Sequence, residues 1–487
     1  MPNSFAYLML IIWPAACLFL FRRLPVERAI IWSILAGYLI LPQQAEFDLP
    51  LVPDMDKVSI PNISAFFLCI FYLKKPVSLW PPSWFVRILL ISFVLGVVPT
   101  VMTNGDAIVF KLLGETEPIV FSNASLPGLG LRDLFSVVSN QAIILMPFFL
   151  ARTYLSSEVG MRDLLLALVI GAVVYSIPAL IEIRLSPQIN VWVYGFFQHD
   201  FEQMIRNGGF RPIVFLPHAL WIAFFFMTAA VSAVALSRGG SAQDRAKYLC
   251  VAVYLMIVLL LSKSLASMLY GMLLAPLFLL ASPRMMIRVA VGLAMIAVIY
   301  PILRDNGLIP LEGLLAQAEA INPDRALSLG YRFDNEERLL ARAHEKWLFG
   351  WGGWGRNLVR DAQTGEILSI PDGEWIIVFG TFGWVGYLSK MGLLAVPLFL
   401  LAAKIGKVPA QERSIYAAPL AAMLAITMID MLLNAILTPF TWLIAGALLG
   451  YTERISARLN GSVSAVEKTH ARTVLQPDIE RRKRTSL

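Results

Sequence analysis

Seven residues of this 487-residue chain, gathered at four points, have side chains that can grip an anionic group or move a proton. They are Arg211 with His218, Lys263, Arg332 with Arg338, and Asp372 with Glu374. Arginine suits a diphosphate because its planar guanidinium offers a fork of charge-assisted donors. Arg332 stands among Arg304, Arg325, Arg338 and Arg342, a concentration of positive charge fitted to such a group. For most of these arginines the plainer reading is a solvated loop in which they pair with Glu336, Glu337 and Glu345. Arg211 and His218 are seven residues apart at the mouth of an apolar run, so on a helix both would point to one side. There they would hold an anionic head group and a reacting hydroxyl. The competing reading is an interfacial Arg reaching phospholipid and a His satisfied by a neighbouring helix. Lys263, within Ser262-Lys263-Ser264, occupies a tight turn between two apolar runs and would add a positive charge to the same pocket.

Asp372 and Glu374 flank Gly373 where the chain turns apolar again, and a carboxylate there would accept a proton from a substrate hydroxyl. Equally, Pro371-Asp372-Gly373 is good turn chemistry, with Asp capping the following helix. Asp430 and Asn434, one turn apart inside an apolar run, must face protein or water, and hydrogen bonding between helices is their simpler role. The glycines between Gly350 and Gly355 form no phosphate-binding P-loop, since no Gly-Lys-Ser/Thr follows. No His, Cys and Asp set has zinc spacing, and His344 reads as an ordinary helix residue. Cys17, Cys69 and Cys250 each fall in an apolar run as small core residues. The expectation is chemistry without a metal or other cofactor.

The elements that must position these groups are membrane helices. Hydrophobic residues make up 58% of the chain and charged residues 15%, with a mean hydropathy of +0.69, whereas soluble domains are about a quarter charged. The expected fold is an all-α polytopic membrane protein. Apolar runs fall near residues 5–21, 28–42, 58–73, 86–102, 133–151, 163–182, 213–236, 247–262, 265–281, 287–303, 375–402, 415–434 and 437–451. These give about thirteen transmembrane helices, with twelve to fourteen as the range.

Lys and Arg concentrate in alternate connections: Arg22, Arg23 and Arg28; Lys74, Lys75 and Arg87; Arg152 and Arg162; Arg238, Arg245 and Lys247; Arg284 and Arg288; Lys404, Lys407 and Arg413. Asp48, Asp54, Asp56, Glu115 and Glu117 are prominent in the intervening ones. This pattern places the N-terminus outside and the C-terminus in the cytoplasm. It divides the chain into N-terminal transmembrane helices (1–303), a large outer loop (304–374), C-terminal transmembrane helices (375–452) and a basic cytoplasmic tail (453–487). The tail ends in Arg481-Arg482-Lys483-Arg484 and suits anionic lipid; nucleic acid is not an expected partner. Two further outer segments run over residues 103–132 and 183–212, and there is no internal repeat. Within the large loop, residues 333–349 have an amphipathic helical pattern, with Phe333, Leu340 and Trp347 at sevens, and Gly350 stops it.

Five short motifs follow one another in this framework. They are Asn207-Gly208-Gly209-Phe210-Arg211-Pro212 before a span, Ser262-Lys263-Ser264 at an outer turn, and Ser328-Leu329-Gly330-Tyr331-Arg332 in the large loop. Phe349-Gly350-Trp351-Gly352 follows, and then Asp372-Gly373 before Gly380-Thr381-Phe382-Gly383. In this order the chain resembles the O-antigen polymerase/ligase superfamily, the Wzy-type polymerases and lipid A-core ligases, a likeness covering the topology over most of its length. The resemblance implies a metal-independent glycosyltransferase of the bacterial inner membrane. Its donor would be a glycan on undecaprenyl diphosphate at the periplasmic face. An acceptor hydroxyl would attack the anomeric carbon of the donor's first sugar, and the lipid diphosphate would leave with inversion. The family's arginines before the span and in the large loop fall on Arg211 and Arg332; Asp372 is the candidate base, with Glu374 behind it. His218, Lys263, Arg338 and Glu374 become candidate substrate contacts, Lys263 standing where relatives commonly have Arg. Membrane lipid and a chain-length regulator are expected partners.

Ligases of this family typically carry a His late in the large loop, where this chain reads Asp372-Gly373-Glu374. That favours a polymerase extending a lipid-linked O-antigen, capsule or exopolysaccharide. The first alternative is the ligase, which passes the finished glycan to lipid A-core or another acceptor. The second is a flippase or transporter of lipid-linked saccharide, for which repeated halves and midplane charges are the expected marks. A noncatalytic partner of a polysaccharide synthase is the third.

Overall fold

Long apolar runs bounded by small polar residues become helices in this chain, and those polar residues cap them. The computed structural model describes residues 1–48, 53–110, 125–206, 208–321, 323–459 and 461. Readings that rest on Glu115, Glu117, Asn207 or the basic tail beyond residue 461 lie outside the described residues, as does the Arg325 side chain. In chain order the helices begin with α1 (Ser4–Arg23), α2 (Val26–Ile40), α3 (Ser59–Phe67), α4 (Trp84–Leu95), α5 (Val97–Met102) and α6 (Leu131–Tyr154). Next come α7 (Glu158–Leu185), α8 (Ile189–Tyr194), α9 (Ala219–Leu236), α10 (Ala242–Leu261), α11 (Leu265–Leu280) and α12 (Pro283–Asp305). The last are α13 (Leu311–Ile321), α14 (Pro323–His344), α15 (Glu374–Ile405), α16 (Ala417–Leu433) and α17 (Pro439–Leu459). Asn3, Ser157, Ser241 and Ser282 start α1, α7, α10 and α12, each side chain accepting a hydrogen bond from a first-turn backbone N–H.

Each of the thirteen predicted apolar segments contains helix. Among the described residues, seven helices are by themselves long and apolar enough to cross a bilayer: α1, α4 with α5, α6, α7, α9, α12 and α15. The chain is a helical membrane protein. Shorter apolar helices are α3 with its π-helical extension to Tyr72, α11 and α16. α2 has only 15 residues, and α10 begins with the charged Asp244, Arg245 and Lys247. α9 lies at the centre, with 89% of its apolar window buried against 28% for α1. α17 lies against α6 through Gly446 and Gly450. A Cβ at either position would come within 2.2 Å of the Phe148 or Arg152 carbonyl oxygen, so these backbones approach as only small residues allow.

α15 is broken. Gly383 adopts φ +61° and ψ −161°, and the bend is sharp enough that Glu374 and Lys390, sixteen residues apart, form an ion pair. A straight helix would separate those positions by about 24 Å. The backbone groups freed at the break need partners, and the Trp-Gly segment supplies them. Trp384 and Val385 N–H donate to the Trp347 and Leu348 carbonyls at 2.8 and 3.2 Å. Trp351 and Gly352 N–H donate to Gly380 and Thr381 at 2.9 and 2.8 Å. The two glycine-bearing motifs of the sequence are thus halves of one interlocked backbone structure.

The helix of the large connection differs from its predicted bounds of 333–349. It runs from Pro323, a residue suited to a first helical turn, to His344, so Arg332 sits inside it rather than ahead of it. Phe333 and Leu340 lie on its buried face, at 6% and 4% exposure, whereas Trp347 is past its end and 54% exposed. Two small hairpins complete the fold, β1 (Ile108–Val109) with β2 (Ser125–Leu126) and β3 (Ile205–Arg206) with β4 (Gly209–Phe210).

Candidate functional site

The predicted helical pairing of Arg211 with His218 is corrected by the structure. The predicted 213–236 helix begins only at Ala219, and residues 213–218 form an irregular segment. Glu182, fully buried on α7, captures the backbone: its Oε2 accepts from Ile213 and Val214 N–H, each at 2.8 Å, and its Oε1 from Ile189 N–H at 3.0 Å. Tyr175 Oη accepts from Phe215 N–H at 3.0 Å, and Gln198 donates to the Val214 and Leu216 carbonyls at 2.7 and 3.1 Å. Pro212 and Pro217, which lack N–H donors, favour this path over a helix.

His218 is the N-cap of α9, its Nδ1 accepting from Leu220 N–H at 3.0 Å. The neutral ring therefore carries its proton on Nε2, which sits 3.4 Å from Gln203 Oε1. The His199 ring stands edge-on at 4.5 Å. Burial first, and then the charges of Arg211, His199, Arg332 and Arg206, push the His218 imidazole down to about 3. Arg211 and Arg332, 121 positions apart, thus act on one ring, and at neutral pH that ring is an uncharged hydrogen-bond donor.

Lys263 joins the cluster through the β3–β4 hairpin. It turns the chain between α10 and α11 at φ +55°, and its Nζ donates to the Arg206 carbonyl at 2.7 Å. A Cβ on Gly209 would lie 2.5 Å from that Nζ, so this glycine leaves the lysine its place. Arg211, only 2% exposed, follows the same hairpin, and its N–H donates to the Met204 carbonyl at 2.8 Å.

Arg332 gathers three segments. Its Nε is 3.5 Å from Asp372 Oδ2, and its Nη1 donates to the Leu433 carbonyl at 3.1 Å and to Asn434 Oδ1 at 3.2 Å. Asn434 caps the end of α16 and donates through Nδ2 to Asp430 Oδ1 at 2.9 Å, and Tyr270 of α11 also hydrogen-bonds that carboxylate. The role expected for Asp430 and Asn434, bonding between helices, is correct but incomplete, because Asn434 also orients Arg332. Side-chain contacts to Arg332, not local spacing, reveal that second role. Asp372 does not cap α15: Gly373 is the N-cap, with no side-chain hydrogen bond, and Asp372 faces Arg332 instead.

Two of the seven candidates are not drawn into this cluster. The carboxylate of Glu374 is taken by Lys390 across the α15 bend. Arg338 is exposed and lines a separate cavity of about 560 Å³ with Arg342, Arg356 and Arg360. The other loop arginines largely follow the plainer reading. Arg304 pairs with Glu337 at 2.9 Å and Glu336 at 3.7 Å, and Arg342 pairs with Glu345 at 2.6 Å while stacking over Trp351 at 3.3 Å. His344 is more than an ordinary helix residue, since its Nε2 lies 3.0 Å from Asp305 and ties α14 to α12.

Glu336 lies one turn after Arg332 on α14. Trp375 Nε1 donates to its Oε1 at 3.2 Å, and burial pushes its carboxyl up to about 7 against the pull of Trp375, Arg304 and Arg332. The folded-state value lies above the ordinary 4.5, so the folded protein holds this proton more tightly than the unfolded chain. That contribution to stability is complete below about pH 4.5 and is lost as pH rises through about 7. The melting temperature is expected to fall between about pH 5 and about pH 8, and Glu336→Gln, a permanently neutral isostere, is expected to flatten that fall. Equal slopes for the two proteins would show that Glu336 is not the titrating group.

No protein-family model and no curated protein matches this chain. The chemistry of the site therefore rests on its own residues. The charges of Arg211, Arg332 and Arg206 bear on the His218 ring, Lys263 bonds the Arg206 carbonyl, and the carboxylate of Asp372 lies beside Arg332.

Proposed function

We propose that this protein is a polysaccharide polymerase. It joins oligosaccharide repeat units carried on undecaprenyl diphosphate at the periplasmic face of the bacterial inner membrane, building O-antigen, capsule or exopolysaccharide. In this reading thirteen helices cross the membrane, with the N-terminus periplasmic and the C-terminus cytoplasmic, and the 304–374 connection lies over the outer face. One observation carries the reading: Arg332, reaching from α14, lies 3.5 Å from Asp372 and bonds Asn434 Oδ1 at 3.2 Å, and its charge, with that of Arg211, bears on the half-buried His218. Such a site supplies fixed positive charge and a neutral donor where a diphosphate leaving group gathers negative charge. The acceptor hydroxyl attacks the anomeric carbon of the donor sugar as the bond from that carbon to the diphosphate oxygen breaks. The bonding pair departs on the diphosphate, against Arg211 and Arg332. The hydroxyl proton passes to Asp372, which Arg332 holds in place.

The test is a size analysis of lipid-linked glycans in cells lacking this gene. Single repeat units should accumulate on the lipid carrier and long chains should vanish. Long chains persisting on the carrier without reaching a final acceptor would replace this reading with the ligase. Unpolymerised units held on the cytoplasmic face would replace it with the flippase.

A further inference from the structure

Four arginines that the reaction does not use converge on a cavity of their own. It measures about 560 Å³, inside the range of about 300 to about 1,000 Å³ usual for ligand pockets. The β1–β2 hairpin, the end of α14 and residues 356–362 border it. Arg338, Arg342, Arg356 and Arg360 line it against a single carboxylate, Glu345, which pairs with Arg342. Arg356 donates to the Pro127 and Asp106 carbonyls at 2.7 and 3.0 Å, and Arg360 to the Gly365 carbonyl at 2.9 Å. Neutral carbonyls fix where these guanidiniums stand but leave them fully charged. Arg338 is exposed and makes no hydrogen bond or ion pair among the described residues. Burial, and then the Arg342 charge, push the Arg356 guanidinium down from its ordinary value against a weaker pull from Asp106. Burial, and then the charges of Arg356 and Arg342, do the same to the neighbouring Lys346 ammonium. Like charges gathered around one cavity are relieved by an anion seated in it.

The remaining lining is largely apolar, with Ile108, Val109, Phe110 and Leu126 on the hairpin connection and Leu358 and Val359 beyond α14. An anion with more than one negative charge matches three arginines that no carboxylate neutralises, and the guanidinium fork suits phosphate oxygens. The apolar lining suits the hydrocarbon that a lipid phosphate carries. Arg338 follows Arg332 by six residues on α14, about 9 Å along the axis and about 120° around it, so it serves a different face of the helix. A polymerase acting on lipid-linked units holds two lipid diphosphates at once: the donor's, which leaves, and the acceptor's, which stays. Resting on the polymerase reading, we propose that this cavity is a second phosphate site, for the phosphate group of a membrane amphiphile that does not react. Two amphiphiles carry that chemistry, the acceptor's lipid diphosphate and an anionic phospholipid.

The test is calorimetric titration of farnesyl diphosphate, a short isoprenoid diphosphate, into full-length protein in phosphatidylcholine nanodiscs, with empty discs as the blank. Arg332→Ala serves as the reference, so that binding at the reaction site is already weakened. This reference should still bind the diphosphate. Adding Arg338→Glu should weaken that binding at least about tenfold, as expected when a charge-assisted contact is lost. Arg338 has no partner to lose among the described residues, so the fold should survive; if it does not, Arg338→Gln is read in its place, with the same direction expected. Discs containing phosphatidylglycerol separate the two sources. An unchanged titration assigns the site to the acceptor's lipid diphosphate, and competition assigns it to phospholipid. No binding by the reference, binding undiminished in the folded variant, or displacement of the diphosphate by an equal concentration of methyl glucuronide overturns the phosphate site. Chain length in cells reports on the polymerase reading alone, so a protein that binds the diphosphate through Arg338 but leaves chain length untouched keeps the site and loses the reaction.

Discussion

Arg332→Ala is expected to lower chain elongation by at least about a hundredfold while the protein still accumulates in the membrane, the size of effect seen when a fixed charge-stabilising donor is lost. The reason is the number of jobs that meet on this guanidinium. It lies 3.5 Å from Asp372, bonds the Leu433 carbonyl and Asn434 Oδ1, and contributes to the field that keeps His218 uncharged. Folding should survive, because the Arg332 side chain is 27% exposed and Asp372 32% exposed, so water can replace the lost partner. Arg332→Lys should recover little. A single ammonium cannot span three acceptors that a planar fork reaches together, although it keeps the charge. The measurement is the length distribution of lipid-linked glycan in cells producing each variant at matched levels. Elongation within about threefold of the wild type in the alanine variant would remove Arg332 from the reaction, since losses of the expected kind run to about a hundredfold or more.

Gly383→Ala is expected to be strongly damaging. The position needs φ +61° with ψ −161°, a region essentially reserved for glycine, which costs an L-residue roughly 1–3 kcal/mol. The added Cβ would also lie 2.4 Å from the Leu348 carbonyl carbon and 2.5 Å from its oxygen. Both obstacles are backbone, pinned by the Trp384 and Val385 hydrogen bonds, so neither can swing aside. Yield of monodisperse protein on size-exclusion chromatography should collapse, or the melting temperature should drop by about 10 °C or more, consistent with a loss of several kcal/mol. Gly353→Ala is the internal control: nothing stands within 4 Å of its added Cβ, and it should behave as wild type. Similar behaviour of the two variants would mean that the α15 break is not held by this contact.

The membrane class, the thirteen helical segments and the residues worth watching were legible in the sequence, because burial in lipid demands unbroken apolar runs and leaves polar residues conspicuous. Lys263 at a tight turn and Arg332 in the polar connection are local facts of that kind. The tertiary structure alone decided which candidates meet. Arg211 and His218 share a site, but not through the seven-residue helical spacing, since Glu182 draws the backbone of Ile213 and Val214 out of the helix from 31 and 32 positions away. Glu374 reads in the sequence as a twin of Asp372, yet the bend at Gly383 gives it to Lys390. Asn434 holds Arg332 across 102 positions, and no local period or propensity reports such a contact. Hydrophobic patterning acts along the chain and can be read there. Side-chain partners are chosen by how distant backbones pack, and that information exists only once the helices have come together.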